Sequence, residues 1–404
     1  MQMLSATEVL EHLDYLVGDA ALAADLPNVA ARLTFDDRIL SFLNDISQTL
    51  LHSENAKAYS DVISFAFWIR RASLLRLRER FRPAEDRLML GRGVAFHIAP
   101  SNVPVNFAYS LAAGLLTGNA NIVRVPTKDY PQIRILSDAF QQALERHEDI
   151  RPYLILVRYA RDHTVNDLLS SMADIRIVWG GEQTIAELRT SPLPPRSLEI
   201  CFADRFSLAV IESEAYLAAE NKRKIAEDFF NDTFLFDQNA CTSPRFILWT
   251  GGRIREAKEL FWAEEHRLVQ EKYTLQPIQS VDKFALCCRI AASHPGVSVV
   301  RQPDNLIVRT ALEKLSADLT DQTGSSGFFY EYDCADIREL SVLCAQKRCQ
   351  TIAYLGDPEK LLPPVLSGGR GVDRIVPLGH TMDFDLLWDG YNLVSMMART
   401  VSII

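Results

Sequence analysis

The sequence predicts an α/β protein built on two parallel sheets. Three observations carry that expectation. Short apolar strands alternate with helical stretches from about residue 91 to 190, and the same alternation restarts after about residue 228. The composition, 48% hydrophobic and 24% charged over 404 residues, is that of a chain able to fill two or three cores.

The first 85 residues are expected to be helical. "TEVLEHLDYL" offers Thr7 as an N-cap, and "SDVISFAFWIRRASLLRLRERF" offers Ser60, each ahead of apolar residues at helical spacing. The arginines at 70, 71, 76, 78 and 80 admit a phosphate-binding reading, against which stands an ordinary solvated face. "GRGVAFHIAPSNVP" then gives a strand at 94–98 running into a loop broken by prolines. A helix, a Gly-Asn turn at 118–119 and a strand at 121–125 follow. The next expected elements are a helix at 131–146, strand 153–158, helix 164–171, strand 174–178, a Gly-Gly turn and helix 182–189. Ligands of such sheets bind at the carboxyl ends of strands, here "APSN", "VPTK" and "WGGEQ". Beyond residue 228, strands are expected near 245–250, 297–301, 305–309 and 351–355. The tail "DRIVPLGHTMDFDLLWDGYNLVSMMARTVSII" is apolar enough to pack back on this chain or on a partner chain. The expected organisation is a helical region 1–85, a first α/β domain 86–228, a second α/β domain 229–375 facing it across a cleft, and a C-terminal segment 376–404.

A formal charge of −9 argues against a broad nucleic-acid-binding face. The opening "MQMLSATEVLEHLDYL" lacks the basic stretch of a secretory leader, and no apolar run approaches the roughly 18 residues of a membrane span. A cytoplasmic protein is expected. The seven cysteines are odd in number and form no CxxC pair, and His163, His294 and His380 lack metal-ligand spacing, so no metal is expected.

Four features bear on chemistry. In "DQNACTSPRF", Cys241 lies among Asn239, Ala240, Thr242 and Ser243, small neighbours that let a substrate approach, in a loop opening a helix or turn. Backbone N–H groups at a helix start would favour its thiolate. In "HIAPSNVPVN", Asn102 stands in a rigid loop at a strand end, able to point an N–H at a developing oxyanion. In "WGGEQTIAEL", Gly180 and Gly181 let backbone approach a phosphate. Glu199, in "SLEICFADRFSLAVIE", is a possible general base. Each has a plainer explanation, as a packing cysteine, a turn asparagine, a simple turn and a solvated glutamate. Their order and spacing carry the weight.

Together with "GRGVAFHIAPSNVPVNFAYSLAAGLLTGNANIVRVPTKD", "FDQNACTSPRFILW", "CQTIAYLG" and "GVDRIVPLGHTMDFDLLWDGYNL", these features resemble the LuxC-type acyl-CoA reductases of the aldehyde dehydrogenase superfamily. The resemblance runs from about residue 90 to the C-terminus. It implies an aldehyde-dehydrogenase-like fold and NADPH-dependent reduction of a fatty acyl thioester, on coenzyme A or a carrier, to the aldehyde. Cys241 would form the acyl-enzyme, with Asn102 and the Cys241 backbone N–H holding the oxyanion. The cofactor would lie along Ala99, Pro100 and Ser101. Arg124 stands where the superfamily keeps a ribose-binding lysine, with Thr127 and Lys128 just beyond. A planar guanidinium suits a 2′-phosphate, which favours NADPH over NADH while leaving NADH possible. Gly180, Gly181, Glu182 and Thr184 would line the pyrophosphate or nearby ribose. Glu331 is the nearest candidate for a nicotinamide-ribose carboxylate. Glu199 matches the base of aldehyde-oxidising relatives and keeps open an alternative, NAD(P)-dependent oxidation of an aldehyde to the free acid. A scaffold that has lost its activity is a third reading, opposed by the Asn102 and Cys241 pair. The resemblance also implies an acyl-protein synthetase as a partner and, by superfamily analogy, a homodimer.

Overall fold

The computed structural model describes residues 5–403. It divides into two compact units. One holds the described residues up to Ala203 together with those from Phe384 on, and the other spans Asp204–Asp383.

The first unit is built on a six-stranded sheet ordered Asp14–Val17, Leu154–Arg158, Ala120–Arg124, Val94–Ile98, Ile175–Trp179, Leu198–Phe202. Only Asp14–Val17 runs antiparallel to its neighbour. Every residue of Val94–Ile98 is buried, as expected of a central parallel strand covered on both faces. The chain winds outward from this strand in one direction and then in the other, so the reversal of strand order falls beside Ile98. Beneath it lies a closed polar network. Asn121 Nδ2 donates to the carbonyls of Asn119 and Tyr153, so its Oδ1 faces His97 Nε2 as an acceptor at 3.1 Å. His97 Nδ1 then accepts from Ser110 Oγ at 2.7 Å, and Ser110 accepts from Trp179 Nε1 at 3.1 Å. His97 is wholly buried, and burial pushes its pKa down to about 4, so it is neutral.

The N-terminal helices differ in detail from expectation. The first is capped by Ser5, in a capping box with Glu8, rather than by Thr7. The stretch after residue 60 is two helices, Ser60–Trp68 and Arg71–Arg80, and Ser60 is the first helical residue rather than a cap. Arg78 and Arg80 are spent on surface pairs with Asp37 and Asp385. The C-terminal segment completes this unit. Leu386, Trp388, Leu393, Val394 and Met397 join its core, and Ala398–Ser402 pairs antiparallel with Arg87–Gly91.

The second unit carries a seven-stranded sheet ordered Val297–Val300, Val308–Leu312, Phe328–Asp333, Pro244–Thr250, Phe206–Glu212, Cys349–Leu355, Arg374–Pro377. The expected boundary at 228 moves to 203/204, because Phe206–Glu212 pairs with Pro244–Thr250 and Cys349–Leu355. The strand expected at 305–309 forms at 308–312. The aromatic runs "FFNDTFLF" and "SGFFYEY" are core: Phe229, Phe230, Phe234 and Phe329 pack on one face, Phe328 and Tyr330 on the other. Among the described residues, no helix is long and apolar enough to cross a membrane, and no group of three or more His, Cys, Asp and Glu residues is arranged to hold a metal.

Candidate active site

In the first unit, the strand order reverses beside Val94–Ile98, so the carboxyl ends of Val94–Ile98, Ala120–Arg124 and Ile175–Trp179 mark the position of the ligand-binding crevice in such sheets. The loop carrying Ala99, Pro100, Ser101 and Asn102 leaves the first of these strands, and Asn102 is exposed in it. The Ala99 N–H donates to the Arg124 carbonyl at 3.1 Å, and Tyr130 Oη donates to the Ser101 carbonyl at 2.8 Å. Thr127 and Lys128 are exposed beyond the second strand, the Lys128 ammonium 4.8 Å from the Tyr130 ring centre. Arg124 donates through Nε and Nη2 to the Tyr159 carbonyl and lies 4.7 Å from the centre of that residue's ring. Its fork is thus oriented while its charge is matched by no carboxylate among the described residues. Gly180 and Gly181 follow the third strand. Gly181 precedes the helix Glu182–Leu188, which starts with Glu182, holds Thr184 in its first turn and has no side-chain cap. Asn106 Oδ1, at the start of Asn106–Leu116, is buried without a hydrogen-bond partner among the described residues. An oriented cation, an uncapped helix start and an unfilled acceptor suit a phosphorylated dinucleotide with hydroxyl and amide donors.

The second unit presents Cys241. The loop after the turn Phe234–Phe236 contains two left-handed non-glycine residues, Asp237 (φ 52°) and Gln238 (φ 59°), and a third, Ser326 (φ 57°), donates its N–H to the Asp237 carbonyl at 2.8 Å. Each such conformation costs about 1–2 kcal/mol and persists only where its surroundings enforce it. Here they do. Gln238 is fully buried and uses its whole amide: Nε2 donates to the Pro244 and Phe328 carbonyls, and Oε1 accepts from the Gly327 and Phe328 N–H groups. Tyr273 Oη donates to Asp237 Oδ1 at 2.5 Å. Gly327 (φ 86°) is required because a Cβ would meet the Leu306 carbonyl oxygen at 2.6 Å. Ser207 Oγ donates to the Cys241 carbonyl at 2.8 Å, and Thr242 Oγ1 donates to Met382 Sδ at 3.0 Å. Cys241 itself is half-buried, in a turn leading to the strand Pro244–Thr250. No helix start follows it, so the dipole argument lapses. Arg245, four residues beyond the cysteine, was passed over in the sequence reading; its Nη1 donates to the Gly324 carbonyl.

A second clamp holds the loop that carries Met382. Asp232, fully buried, accepts from the Gly379 N–H at 2.6 Å and from the N–H and hydroxyl of Thr381 at 3.0 and 2.8 Å. Burial nevertheless pushes its carboxyl up to about 6. His380 in the same loop faces Asp383 at 2.7 Å.

The other cysteines contrast with Cys241. Burial pushes the thiols of Cys201, Cys287, Cys334, Cys344 and Cys349 upward, which makes them poor nucleophiles at neutral pH. Cys288 is exposed on the helix Pro277–Ser293.

Two expected carboxylates are committed elsewhere. Glu199, on the edge strand of the first sheet, accepts from Arg176 at 2.5 and 3.0 Å and from Arg189 at 2.7 Å. Burial works to raise its pKa, but the arginine hydrogen bonds bring it below the ordinary value. A carboxylate so held is a weak base. Glu331 is buried and accepts from Trp249 Nε1, Trp262 Nε1 and Arg309, so it is spent inside the second core rather than available to a ribose.

Comparison with solved structures gives the fold. The glyceraldehyde-3-phosphate dehydrogenase GapN of Methanocaldococcus jannaschii, complexed with NADP, superposes with a TM-score of 0.68 at 12% identity, covering 99% of this chain and 94% of that one. Lactaldehyde dehydrogenase of Escherichia coli gives 0.65 at 11%, covering 98% and 90%. The chain therefore has an aldehyde-dehydrogenase-like fold. In sequence, the long-chain acyl-protein thioester reductase of Vibrio harveyi is 29% identical over 217 residues, 53% of this chain and 44% of that protein. The reductase of the same name from Aliivibrio fischeri is 24% identical over 295 residues, 71% and 58%. The chain spans about half the length of these curated relatives. The family description "Acyl-CoA reductase (LuxC)" matches residues 40–279, more than half of the sequence and including both Asn102 and Cys241, and on that ground the chain belongs to the LuxC acyl-CoA reductase family.

Proposed function

We propose that this protein reduces an acyl thioester to the aldehyde through an acyl-enzyme on Cys241. The observation that carries the reading is the loop at 237–243, where strained backbone is spent on presenting one cysteine. The Cys241 thiolate attacks the acyl carbonyl, Asn102 and the Cys241 N–H stabilise the oxyanion, and the donor thiol departs with the electron pair of its C–S bond. A reduced nicotinamide, when bound, supplies the hydride that brings the acyl carbon to the aldehyde level. Arg124, Thr127 and Lys128 would hold its adenosine end, Ala99, Pro100, Ser101 and the Gly180–Thr184 turn its phosphates and ribose, and the oriented fork of Arg124 favours NADPH. Collapse of the resulting hemithioacetal releases the aldehyde and restores the sulfur. Glu199, clamped by two arginines, is a weak base for activating water, which supports aldehyde rather than free acid as product.

The acyl donor is read as a long-chain thioester on coenzyme A or a protein thiol, in keeping with the names of the relatives. An acyl-protein synthetase as donor and a homodimer belong to the same proposal. The test is mass spectrometry of the pure protein after incubation with a long-chain acyl-CoA and no cofactor. An acyl adduct on Cys241 that NADPH discharges as aldehyde is expected, with turnover lost by more than about a thousandfold in Cys241→Ala. An unlabelled Cys241, or discharge as free acid at an undiminished rate, overturns the reading.

A further inference from the structure

We propose that the outward face of the helix Pro277–Ser293 docks a second copy of this chain, helix against helix and antiparallel across a two-fold axis; this rests on the homodimer of the reading above and on none of its chemistry. The helix lies in the second unit and is apolar on two opposite sides. Inward, Leu286 and Ile290 are buried in the core. Lys283 Nζ donates to the carbonyls of Asn305, Leu306 and Ser326, which fixes the side that faces out.

On that side Ile278, Val281 and Phe284 are 63%, 60% and 71% exposed. Ala285, Cys288 and Ala292, all exposed, continue the same stripe. At helical spacing these side chains fall within about a third of the circumference, opposite the buried side. An ordinary surface helix carries polar residues there. The helix leads into Val297–Val300, the outermost strand of the sheet, where Val299 is 53% exposed and no lysine, proline or bulge blunts the edge. A continuous apolar face of this kind marks a contact surface.

Two features identify the same helix as its occupant. The stripe is bulky in its first half, at Ile278, Val281 and Phe284, and small in its second, at Ala285, Cys288 and Ala292. An antiparallel copy therefore sets large side chains against small ones along its whole length. Asp282 and Arg289 are both exposed, two turns apart on one flank of the stripe, and neither has an ion pair among the described residues. A two-fold axis passing between Ala285 and Leu286 sets the Asp282 of each copy opposite the Arg289 of the other. A parallel pair would bring like charges together instead. A lipid surface suits the face poorly, because Arg289 is the only exposed basic residue of the helix. One helix pair is a small interface, so a dimer that dissociates on dilution is expected.

The test is sedimentation velocity of the full-length chain, diluted through the micromolar range. Phe284→Glu, at an exposed site, should weaken association more than about tenfold. Asp282→Arg and Arg289→Asp should each weaken it. An equimolar mixture of these two variants should associate more tightly than either alone, because only the mixed pair sets opposite charges at both contacts. A chain that stays monomeric, association unmoved by Phe284→Glu, or a mixture no tighter than its components overturns the proposal. Thioester reduction is assayed on the same samples. Reduction without this pattern of association removes the surface alone. The pattern without reduction leaves the surface standing and the functional reading fallen.

Discussion

Both units wind helices around a parallel sheet, yet they bury their titratable groups in opposite senses. In the first, a base is kept neutral: His97 sits within a closed network and holds its proton only below about pH 4. In the second, acids are made harder to ionise. Asp232 is pushed up to about 6 by burial, and Glu265 is raised well above the ordinary range by the same cause. Among the described residues, neither oxygen of the fully buried Glu265 carboxyl has a hydrogen-bond partner, nor does the buried hydroxyl of nearby Tyr216. Similar topologies therefore carry opposite linkage to pH. The folded value of His97 lies below its unfolded 6.5, so its contribution is complete above pH 6.5 and is lost as pH falls towards 4. The folded value of Asp232 lies above its unfolded 3.8, so its contribution is complete below pH 3.8 and is lost as pH rises through 6.

The largest expected effect tests the first half of this contrast. Between pH 6.5 and 4 the first unit should lose about 3 kcal/mol through His97, read as rising hydrogen exchange of the 94–124 peptides. In His97→Gln that acid slope should flatten whatever the absolute stability; parallel slopes in the two proteins would erase the contrast. A smaller effect tests the second half. Replacing Glu265 by leucine should stabilise the second unit by about 1–3 kcal/mol at pH 7.5, because the carboxyl is desolvated without a hydrogen bond. The gain should shrink towards pH 4.5, and urea unfolding monitored across that range measures it. A loss of stability would mean that Glu265 has a partner. The smallest effect concerns the crevice, where exposed loops rather than buried networks carry the side chains. Arg124→Ala should weaken NADPH about tenfold more than NADH in fluorescence titration, and equal weakening would remove the 2′-phosphate reading.

Legibility in the sequence followed the same physics. The strand at 94–98 was plain because it is a run apolar but for His97, followed by a loop with prolines. Phe328–Asp333 was missed because a strand buried on both faces has no alternation. Asp14–Val17 is an edge strand of four residues, too short to show a period. Cys241 and the crevice loops stood out by residue type and position. What holds Cys241 did not, because glutamine at a positive φ leaves no compositional signal, and the clamp on Asp237 and Gln238 comes from residues about 90 positions away. Glu199 looked like a base because sequence does not reveal that Arg176 and Arg189 converge on it.

The pairing of Ala398–Ser402 with Arg87–Gly91 has a consequence for biosynthesis. The second unit is an insertion within the first, so the ribosome delivers its strands consecutively, while the first unit waits for the residues from Phe384 on. The strand Arg87–Gly91 emerges early with an unsatisfied edge and finds its partner only after some 300 further residues have been translated. The unit carrying Cys241 can therefore complete its sheet before residues 398–402 are made, whereas the other unit cannot.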